Sequence, residues 1–170
     1  VTFPDHHTYI LTLTVFKKFK MAKRLQVELN RIQKDGPAFG VNVSIKNDKL
    51  DNWEFEIKGP QGSPFEGKLI KGTVDFPPEY PHKTPDLVFI PPIYHVNVDE
   101  KSGEPCFKKL QDEWSPKYKM VDIFKELIVL IATPESGHAV RGDLGELYSN
   151  NIEEYNKRAR DWAQKNLQPI

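Results

Sequence analysis

The stretch VNVSIKNDKLDNWEFEIKG, residues 41–59, contains two runs of alternating apolar and polar side chains, VNVSIK and WEFEIKG, with Asn47-Asp48 after the first. A period of two is typical of a strand with one buried face, and Asn and Asp favour turns. Two more such runs, KLIKGTVDF at 68–76 and DLVFI at 86–90, follow further turn residues. Sequential short strands with tight turns predict an antiparallel meander of four strands.

Helical periodicity flanks these strands on both sides. Between residues 21 and 34, apolar residues recur every three or four positions, and the sequence Asp-Gly-Pro at 35–37 then ends the pattern. Three further helices are predicted after the strands: VDIFKELIVLIATP at 121–134, AVRGDLGELYSNN at 139–151 and IEEYNKRARDWAQKN at 152–166. The order of a helix, four strands, a long loop and helices predicts an α+β fold, with the helices packed on and beside one antiparallel sheet.

The first part of the chain does not resemble the rest. We treat residues 1–20 as an N-terminal extension of uncertain origin and expect residues 21–170 to form one domain. In the run YILTLTVF, residues 9–16, apolar side chains alternate with threonines, which predicts an extended segment. The run is too short for the ~20 residues of a membrane-spanning helix and lacks the basic start of a signal peptide.

The overall composition limits the classes of partner. Lysine plus arginine and aspartate plus glutamate each number 24, so the formal net charge is 0. This balance gives no support for nucleic acid or an anionic membrane as a partner. The chain has 1 cysteine, which excludes an intrachain disulfide and favours a reducing compartment, the cytosol or the nucleus.

Residues 77–116 lack regular periodicity and are rich in proline and aromatic residues. A long irregular stretch in a compact domain is usually functional or disordered, and the aromatic residues favour an ordered loop. Within it, His95, Asn97, Cys106 and Lys108 lie close together in the chain. We therefore expect the chemistry of the protein in this loop.

Four interpretations of Cys106 stay open from the residues alone. A metal site is weakly supported, because one cysteine and one nearby histidine are too few for a zinc ligand set. A cysteine hydrolase needs a base within hydrogen-bond reach of the sulfur, and spacing alone cannot place His95 there. Acyl transfer would use Cys106 as a thioester carrier and Asn97 as a donor to the oxyanion. The fourth interpretation is a buried thiol that only packs in the core.

Three segments together resemble a known family: PEYPHKTPDLVF at 78–89, IYHVNVDEKSGEPC at 93–106 and LQDEWSP at 110–116. They are similar to the core of ubiquitin-conjugating enzymes, whose pattern is Tyr-Pro-Phe-Lys-Pro-Pro, then His-Pro-Asn, then the catalytic cysteine, then Trp-Ser-Pro. The resemblance covers about residues 21–166. It implies the same α+β fold, with a helix, a four-stranded meander, an active-site loop and C-terminal helices in a catalytic core domain of residues 21–170.

The resemblance implies that Cys106 accepts ubiquitin, or a ubiquitin-like modifier, from an activating enzyme as a thioester. The modifier then passes to a ligase cysteine or to a lysine of a substrate protein. Asn97 is implied to stabilise the oxyanion and His95 to hold the loop, with no metal or organic cofactor. We expect Lys108 and Lys109 to lower the pKa of the thiol.

The resemblance also implies binding surfaces on an enzyme that we expect to be a monomer. Lys23 and Arg24 match the basic pair with which the family contacts the activating enzyme, although charged residues on a helix usually form only a solvated face. The ligase-binding residues that it implies are Pro81, His82, Lys83, Ser115, Pro116 and Lys117.

Two residues depart from the family pattern in ways that affect its implications. Val96 replaces the proline of His-Pro-Asn, which frees a backbone N–H and predicts a less firmly placed Asn97. His82 replaces a phenylalanine that anchors ligases, and a histidine at this place also occurs in a relative that carries NEDD8. The alternatives are therefore a conjugating enzyme for a modifier such as NEDD8, and a non-catalytic scaffold that binds ubiquitin or ligases.

Two supporting residues of the active-site loop, Lys108 and His138, stand where many lysine-active members of the family carry aspartate. Those acids are thought to orient or deprotonate the attacking lysine. A cation and a neutral imidazole cannot attract an incoming ammonium ion. We therefore expect transfer to a ligase cysteine in preference to direct transfer to lysine.

Overall fold

The computed structural model describes residues 6–170, and no side chain is described for residues 6–9, 11–13 and 109. The strands are β1 Val41–Lys46, β2 Lys49–Lys58, β3 Lys68–Asp75 and β4 Asp86–Phe89. They lie in the order β1-β2-β3-β4 with every neighbouring pair antiparallel, which confirms the predicted meander. Strand β2 begins earlier than predicted, because Lys49 already pairs with Lys46 across the turn.

The turn Asn47-Asp48 closes the hairpin between β1 and β2. Both residues have a left-handed backbone, with φ of 53° and 56°, a conformation that Asn and Asp tolerate better than most residues. The register that follows places Val43 opposite Phe55, and both side chains are buried. The alternation in the sequence thus becomes the apolar face of the sheet.

The α-helices among residues 6–170 are α1 His6–Asp35, α2 Met120–Ala132, α3 Gly142–Asn150 and α4 Ile152–Asn166. Helix α1 contacts β1, β2 and α2, and the core lies between these elements. Within it, Phe55 and Phe124 meet edge to face with ring centroids 5.4 Å apart. The α+β fold is therefore confirmed. A short strand β5, Gln168–Pro169, pairs with β3 and was not expected from the sequence.

Helix α1 begins at His6 and not at Met21, so the extended segment predicted within residues 9–16 is wrong. An alternating run forms a strand only where a neighbouring strand can accept its backbone hydrogen bonds. A helix satisfies these bonds internally, and extending a helix that is already nucleated adds one bond for each residue fixed. In the added part, Phe16 and Phe19 are exposed. None of the described helices has the length and apolar character of a membrane span.

A buried carboxylate links α1 to the rest of the molecule. Glu28 is 4% exposed, accepts a hydrogen bond from Tyr80 Oη over 2.7 Å and is paired with the Arg24 guanidinium. It also accepts from the backbone N–H of Met120, the first residue of α2. Arg24 in turn donates to the carbonyl of Tyr118 over 2.7 Å. One charge therefore joins α1, the turn that contains Tyr80 and the start of α2.

We expect the substitution Glu28→Ala to lower the free energy of unfolding by about 3 kcal/mol, because it leaves the Tyr80 hydroxyl and the Met120 N–H buried without their acceptor. Denaturant titration of both proteins measures the difference. Glu146→Ala, at an exposed position of α3, is the matched control and should change the value by less than about 0.5 kcal/mol. Equal effects of the two substitutions would show that the carboxylate does not hold these elements together.

Candidate active site around Cys106

The loop between β4 and α2 folds back on itself and brings Cys106 beside Asn97. Val98 and Pro105 form an isolated antiparallel bridge, and the N–H of Cys106 donates to the carbonyl of Asn97 over 2.7 Å. The turn between them needs Gly103, whose φ is 78° and whose Cβ position lies only 2.3 Å from a backbone carbonyl oxygen of β4. Backbone hydrogen bonds therefore set the position of the thiol.

The imidazole of His95 holds this loop against α2. It is fully buried, its Nε2 lies 2.9 Å from the carbonyl oxygen of Leu130, and its Nδ1 accepts from the Asn97 N–H over 3.0 Å. Because a carbonyl oxygen can only accept, Nε2 carries the hydrogen. Burial lowers the pKa of His95 to about 4, so the ring is neutral near neutral pH. Both ring nitrogens are in use, which leaves none to act as the base of a cysteine hydrolase.

The side chain of Asn97 is fully buried and forms hydrogen bonds with the segment that follows α2. Its Nδ2 donates to the carbonyl oxygens of Glu135 over 2.7 Å and His138 over 2.9 Å, and its Oδ1 accepts from the Glu135 N–H over 2.9 Å. An amide has two N–H donors, and both are used here. Donation from Asn97 to an oxyanion, as the resemblance implies, would require one of these bonds to open. In the free protein these contacts hold the segment 135–138 in place.

Val96 does not loosen the loop, so the weaker placement of Asn97 expected from the missing proline is wrong. The Val96 side chain is fully buried, its N–H donates to Tyr155 Oη over 3.4 Å, and its carbonyl accepts from the Val140 N–H over 3.0 Å. The N–H that a proline would lack is therefore satisfied by a side chain of α4.

The thiol of Cys106 is partly exposed, which argues against a residue that only fills the core. Its Sγ donates to Oε1 of Gln111 over 3.2 Å. Partial burial raises the pKa of the thiol, and the negative charges of Asp112 and Glu135 raise it further, while the contact with Gln111 acts in the opposite direction. The sulfur is therefore accessible and mostly protonated at neutral pH.

Lys108, the described lysine that follows Cys106, is not among the groups that shift the pKa of the thiol. The predicted lowering of the thiol pKa is not found, since the pKa is raised. Of the two lysines, Lys109 lies outside the described side chains. Lys108 is exposed at the start of the short 3₁₀ helix Lys108–Leu110, where water and salt screen its charge. Among the described side chains, the charges that act on the sulfur are the carboxylates of Asp112 and Glu135, and these disfavour the thiolate.

The two segments of the implied ligase-binding surface lie side by side. The indole Nε1 of Trp114 donates to the carbonyl of Pro81 over 2.9 Å, which ties one segment to the other. Of the implied residues, His82, Lys83, Pro116 and Lys117 are exposed, and Pro81 and Ser115 are half-buried. The fold therefore brings together two segments that are separate in the chain.

The basic pair on α1 divides into two environments. Lys23 is exposed, whereas Arg24 is half-buried and paired with Glu28. Arg24 therefore has a structural role in the protein alone, and Lys23 is the member of the pair that faces solvent.

Two residues near the active site were missed by the sequence analysis. Gln111 follows Cys106 by 5 positions, within the segment LQDEWSP, but no motif marks it as a partner of the sulfur. Glu135 lies 38 positions from Asn97. The first contact depends on how the loop turns after Cys106, and the second on how separate segments meet in the fold.

We expect the free energy of unfolding to fall as the pH is lowered from about 6.5 to about 4. In this interval the unfolded chain takes up a proton at His95 and the folded protein does not, so protonation favours unfolding. The contribution of His95 to the free energy of unfolding is complete above the upper pH. At the lower pH it has fallen by about 3 kcal/mol. Denaturant titrations at a series of pH values measure it.

The control for this prediction separates His95 from the carboxylates, which also titrate in acid. His95→Gln should reduce the dependence of stability on pH within the interval, whereas His82→Gln, at an exposed histidine, should keep the wild-type dependence. The readout is the slope, so a uniformly lower stability of His95→Gln does not affect it. An unchanged slope in that variant would contradict a buried neutral imidazole.

Comparison with known proteins agrees with this geometry. Residues 24–163 match the family model described as ubiquitin-conjugating enzyme. The chain is 32% identical over 142 residues to ubiquitin-conjugating enzyme E2 1 of Schizosaccharomyces pombe, which covers 84% of this chain and 65% of that protein. It is 29% identical over 143 residues to ubiquitin conjugating enzyme E2 B of Dictyostelium discoideum, which covers 84% of this chain and 95% of that protein.

A solved structure shows the same architecture. The E2 domain of a ubiquitin conjugating enzyme of Toxoplasma gondii superposes with a TM-score of 0.77 at 26% sequence identity, covering 86% of this chain and 98% of that domain. The chain thus matches nearly all of this domain, but less than two thirds of the Schizosaccharomyces pombe protein, 65%. Since the family model covers residues 24–163 and the fold agrees, the chain belongs to the ubiquitin-conjugating enzyme family.

Proposed function

We propose that this chain accepts ubiquitin from an activating enzyme as a thioester on Cys106 and passes it to a ligase cysteine or to a lysine of a substrate protein. The observation that carries the proposal is the sulfur itself: the 1 cysteine of the chain is partly exposed, within a loop that buried hydrogen bonds hold in place. A hydrolase would need a free base, and His95 does not provide one. A scaffold would need no accessible thiol.

Charging of the enzyme is a transthiolation. The Cys106 thiolate attacks the carbonyl carbon of the modifier's thioester on the activating enzyme, a new C–S bond forms, and the activating enzyme's thiolate leaves. Burial and the nearby carboxylates hold the pKa of Cys106 above its ordinary value. A thiolate of higher pKa is scarcer at neutral pH, but it is a better nucleophile and a poorer leaving group. These properties favour a site that accepts the modifier and keeps it until an acceptor arrives.

We propose that His95 and Asn97 hold the active-site loop in place. The hydrogen bonds of both side chains go to backbone groups, namely the carbonyls of Leu130, Glu135 and His138 and two backbone N–H groups. Their contribution to the reaction is therefore to fix the loop on which Cys106 is placed. This role needs no contact with the acyl group.

As the acceptor, we propose that a ligase cysteine is preferred to a free lysine. Lys108 and His138 occupy the positions where lysine-active members of the family carry an acid, and neither attracts an ammonium ion. Asp112 and Glu135 do act on the sulfur, but they stand outside those positions. A thiol acceptor does not need this attraction, because it approaches without a positive charge.

The partner surfaces in this proposal are the exposed parts of the implied segments. A ligase would contact the surface that includes His82 and Pro116, whose two segments Trp114 joins, and the activating enzyme would contact α1 at Lys23. Ubiquitin is the proposed modifier, and a modifier such as NEDD8 is the alternative that His82 raises. A single unpaired cysteine agrees with a place of action in the cytosol or the nucleus.

We expect the purified protein, incubated with ubiquitin, ATP and a ubiquitin-activating enzyme, to form an adduct that a thiol reductant removes. Cys106→Ala should form no such adduct, because the carrier atom is gone. A parallel reaction with NEDD8 and its activating enzyme tests the alternative modifier. Release of free modifier would indicate a hydrolase, and absence of any adduct beside an active control enzyme would indicate a scaffold; both results would overturn the proposal.

We expect Lys108→Asp to raise the rate at which the charged enzyme loses ubiquitin to free lysine by about fivefold, since one nearby charge acts with about 1 kcal/mol in water. Its loss to free cysteine should not change. The matched control is Lys101→Asp, the same charge change at an exposed lysine of the same loop. Gel analysis of the remaining thioester gives the rates. If the wild-type enzyme discharges onto lysine as fast as onto cysteine, the preference for a cysteine acceptor is refuted.

A further inference from the structure

The family pattern implies that the side-chain amide of Asn97 donates a hydrogen bond during the transfer reaction. In this structure that amide is already used in other hydrogen bonds. Acyl transfer passes through a tetrahedral intermediate whose oxygen carries negative charge and needs a hydrogen-bond donor. Both Nδ2 hydrogens of Asn97 are given to the carbonyls of Glu135 and His138. If one of these hydrogens bound the oxyanion, Asn97 would lose a hydrogen bond to the segment that follows α2. A different donor beside the sulfur could bind the oxyanion without breaking that hydrogen bond.

Gln111 has the position that such a donor needs. Its side chain lies 3.2 Å from Cys106 Sγ and, within the part of the chain whose side chains are described, is the only one with a hydrogen bond to this sulfur. Gln111 caps the 3₁₀ helix Lys108–Leu110. The side chains of Phe107 and Leu110 are buried on either side. The backbone is therefore anchored, while the amide itself is exposed and able to turn.

We propose that the side-chain amide of Gln111 is a catalytic donor to the oxyanion when Cys106 passes on its acyl group, an inference that rests on the thioester function proposed above. Once Sγ is acylated it has no hydrogen to give, and Oε1 of Gln111 loses its bond. Rotation about the last side-chain torsion then turns Nε2–H towards the acyl oxygen, which is bonded to the carbon next to the sulfur. One amide thus serves as the acceptor for the free thiol and the donor for its acyl form.

The transfer step is balanced without any further reactant. The acceptor's thiolate attacks the acyl carbon, its new C–S bond forms, and the electron pair of the C=O bond moves to the oxygen, where Gln111 Nε2–H donates to it. The electron pair on the oxygen then re-forms the C=O bond, the bond between the acyl carbon and Cys106 Sγ breaks, and the Cys106 thiolate leaves. The proton that the acceptor lost to solvent is later taken up by Cys106, and nothing is oxidised or reduced.

A neutral donor suits the charges around the sulfur. Asp112 and Glu135 disfavour added negative charge at Cys106, so an oxyanion there gains more from a local N–H than it would in a cationic site. Water also reaches this partly exposed position and can donate in place of the amide. The benefit from Gln111 is therefore smaller than in an active site that excludes water.

The test measures discharge of pre-charged enzyme onto free cysteine in a single turnover. Gln111→Ala and Gln111→Glu both lack the N–H and should slow discharge by about tenfold to a hundredfold, below the hundredfold to thousandfold measured for donors in dry sites. Both should still charge fully with ubiquitin when given more time. The matched control is Glu113→Gln, an exposed neighbour, which should discharge at the wild-type rate.

The outcomes separate this inference from the function on which it rests. If the wild-type enzyme forms no adduct, the proposed function fails. If the wild type and Gln111→Ala charge fully and discharge at the same rate, the function stands and the role of Gln111 is overturned. Asn97→Ala provides the second comparison: slow discharge in this variant, with wild-type thermal stability and a normal rate in Gln111→Ala, would assign the donor to Asn97 instead.

Discussion

A buried imidazole and a buried amide, those of His95 and Asn97, are the constraint on which the active-site loop depends. His95 connects the backbone of Asn97 to the carbonyl of Leu130 in α2, and the Asn97 side chain holds residues 135–138. Every polar atom of the two side chains is paired, which is the condition for burying them without a large loss of stability. Cys106 then takes its position from the Asn97 carbonyl.

The two residues that hold the loop and the cysteine that the loop carries have opposite environments. His95 and Asn97 are fully buried, and exchanging one of their partners would leave a polar group unpaired inside the protein. Cys106 is partly exposed and has a single described side-chain partner, Gln111, which is itself exposed. An exchange of partners there costs little, because water can take the place of either group. A change of partners during acyl transfer, as proposed for Gln111, is therefore easier at the exposed contact than in the buried network, which holds the loop.

Local patterns predicted the features that depend on local physics. The alternation within residues 41–59 and the helical periodicity located the elements, because burial of one face is a property of consecutive residues. The start of α1 at His6 was missed, since an alternating run without a partner strand joined a helix instead. The motif resemblance indicated Cys106 together with His95 and Asn97, but not the contacts that these residues make. The bond between Val96 and Tyr155 spans 59 positions, and only the fold brings such groups together.

Helix α2 carries an anchor at each end. Its first residue donates its backbone N–H to Glu28, the carboxylate that also binds Tyr80, and near its other end Leu130 accepts from His95. Tyr80 precedes one segment of the surface proposed to bind a ligase, while His95 belongs to the loop that carries Cys106. With 13 residues, α2 spans about 20 Å and deforms little along its axis. One rigid element therefore sets the spacing between the surface where a ligase would bind and the loop that presents the sulfur.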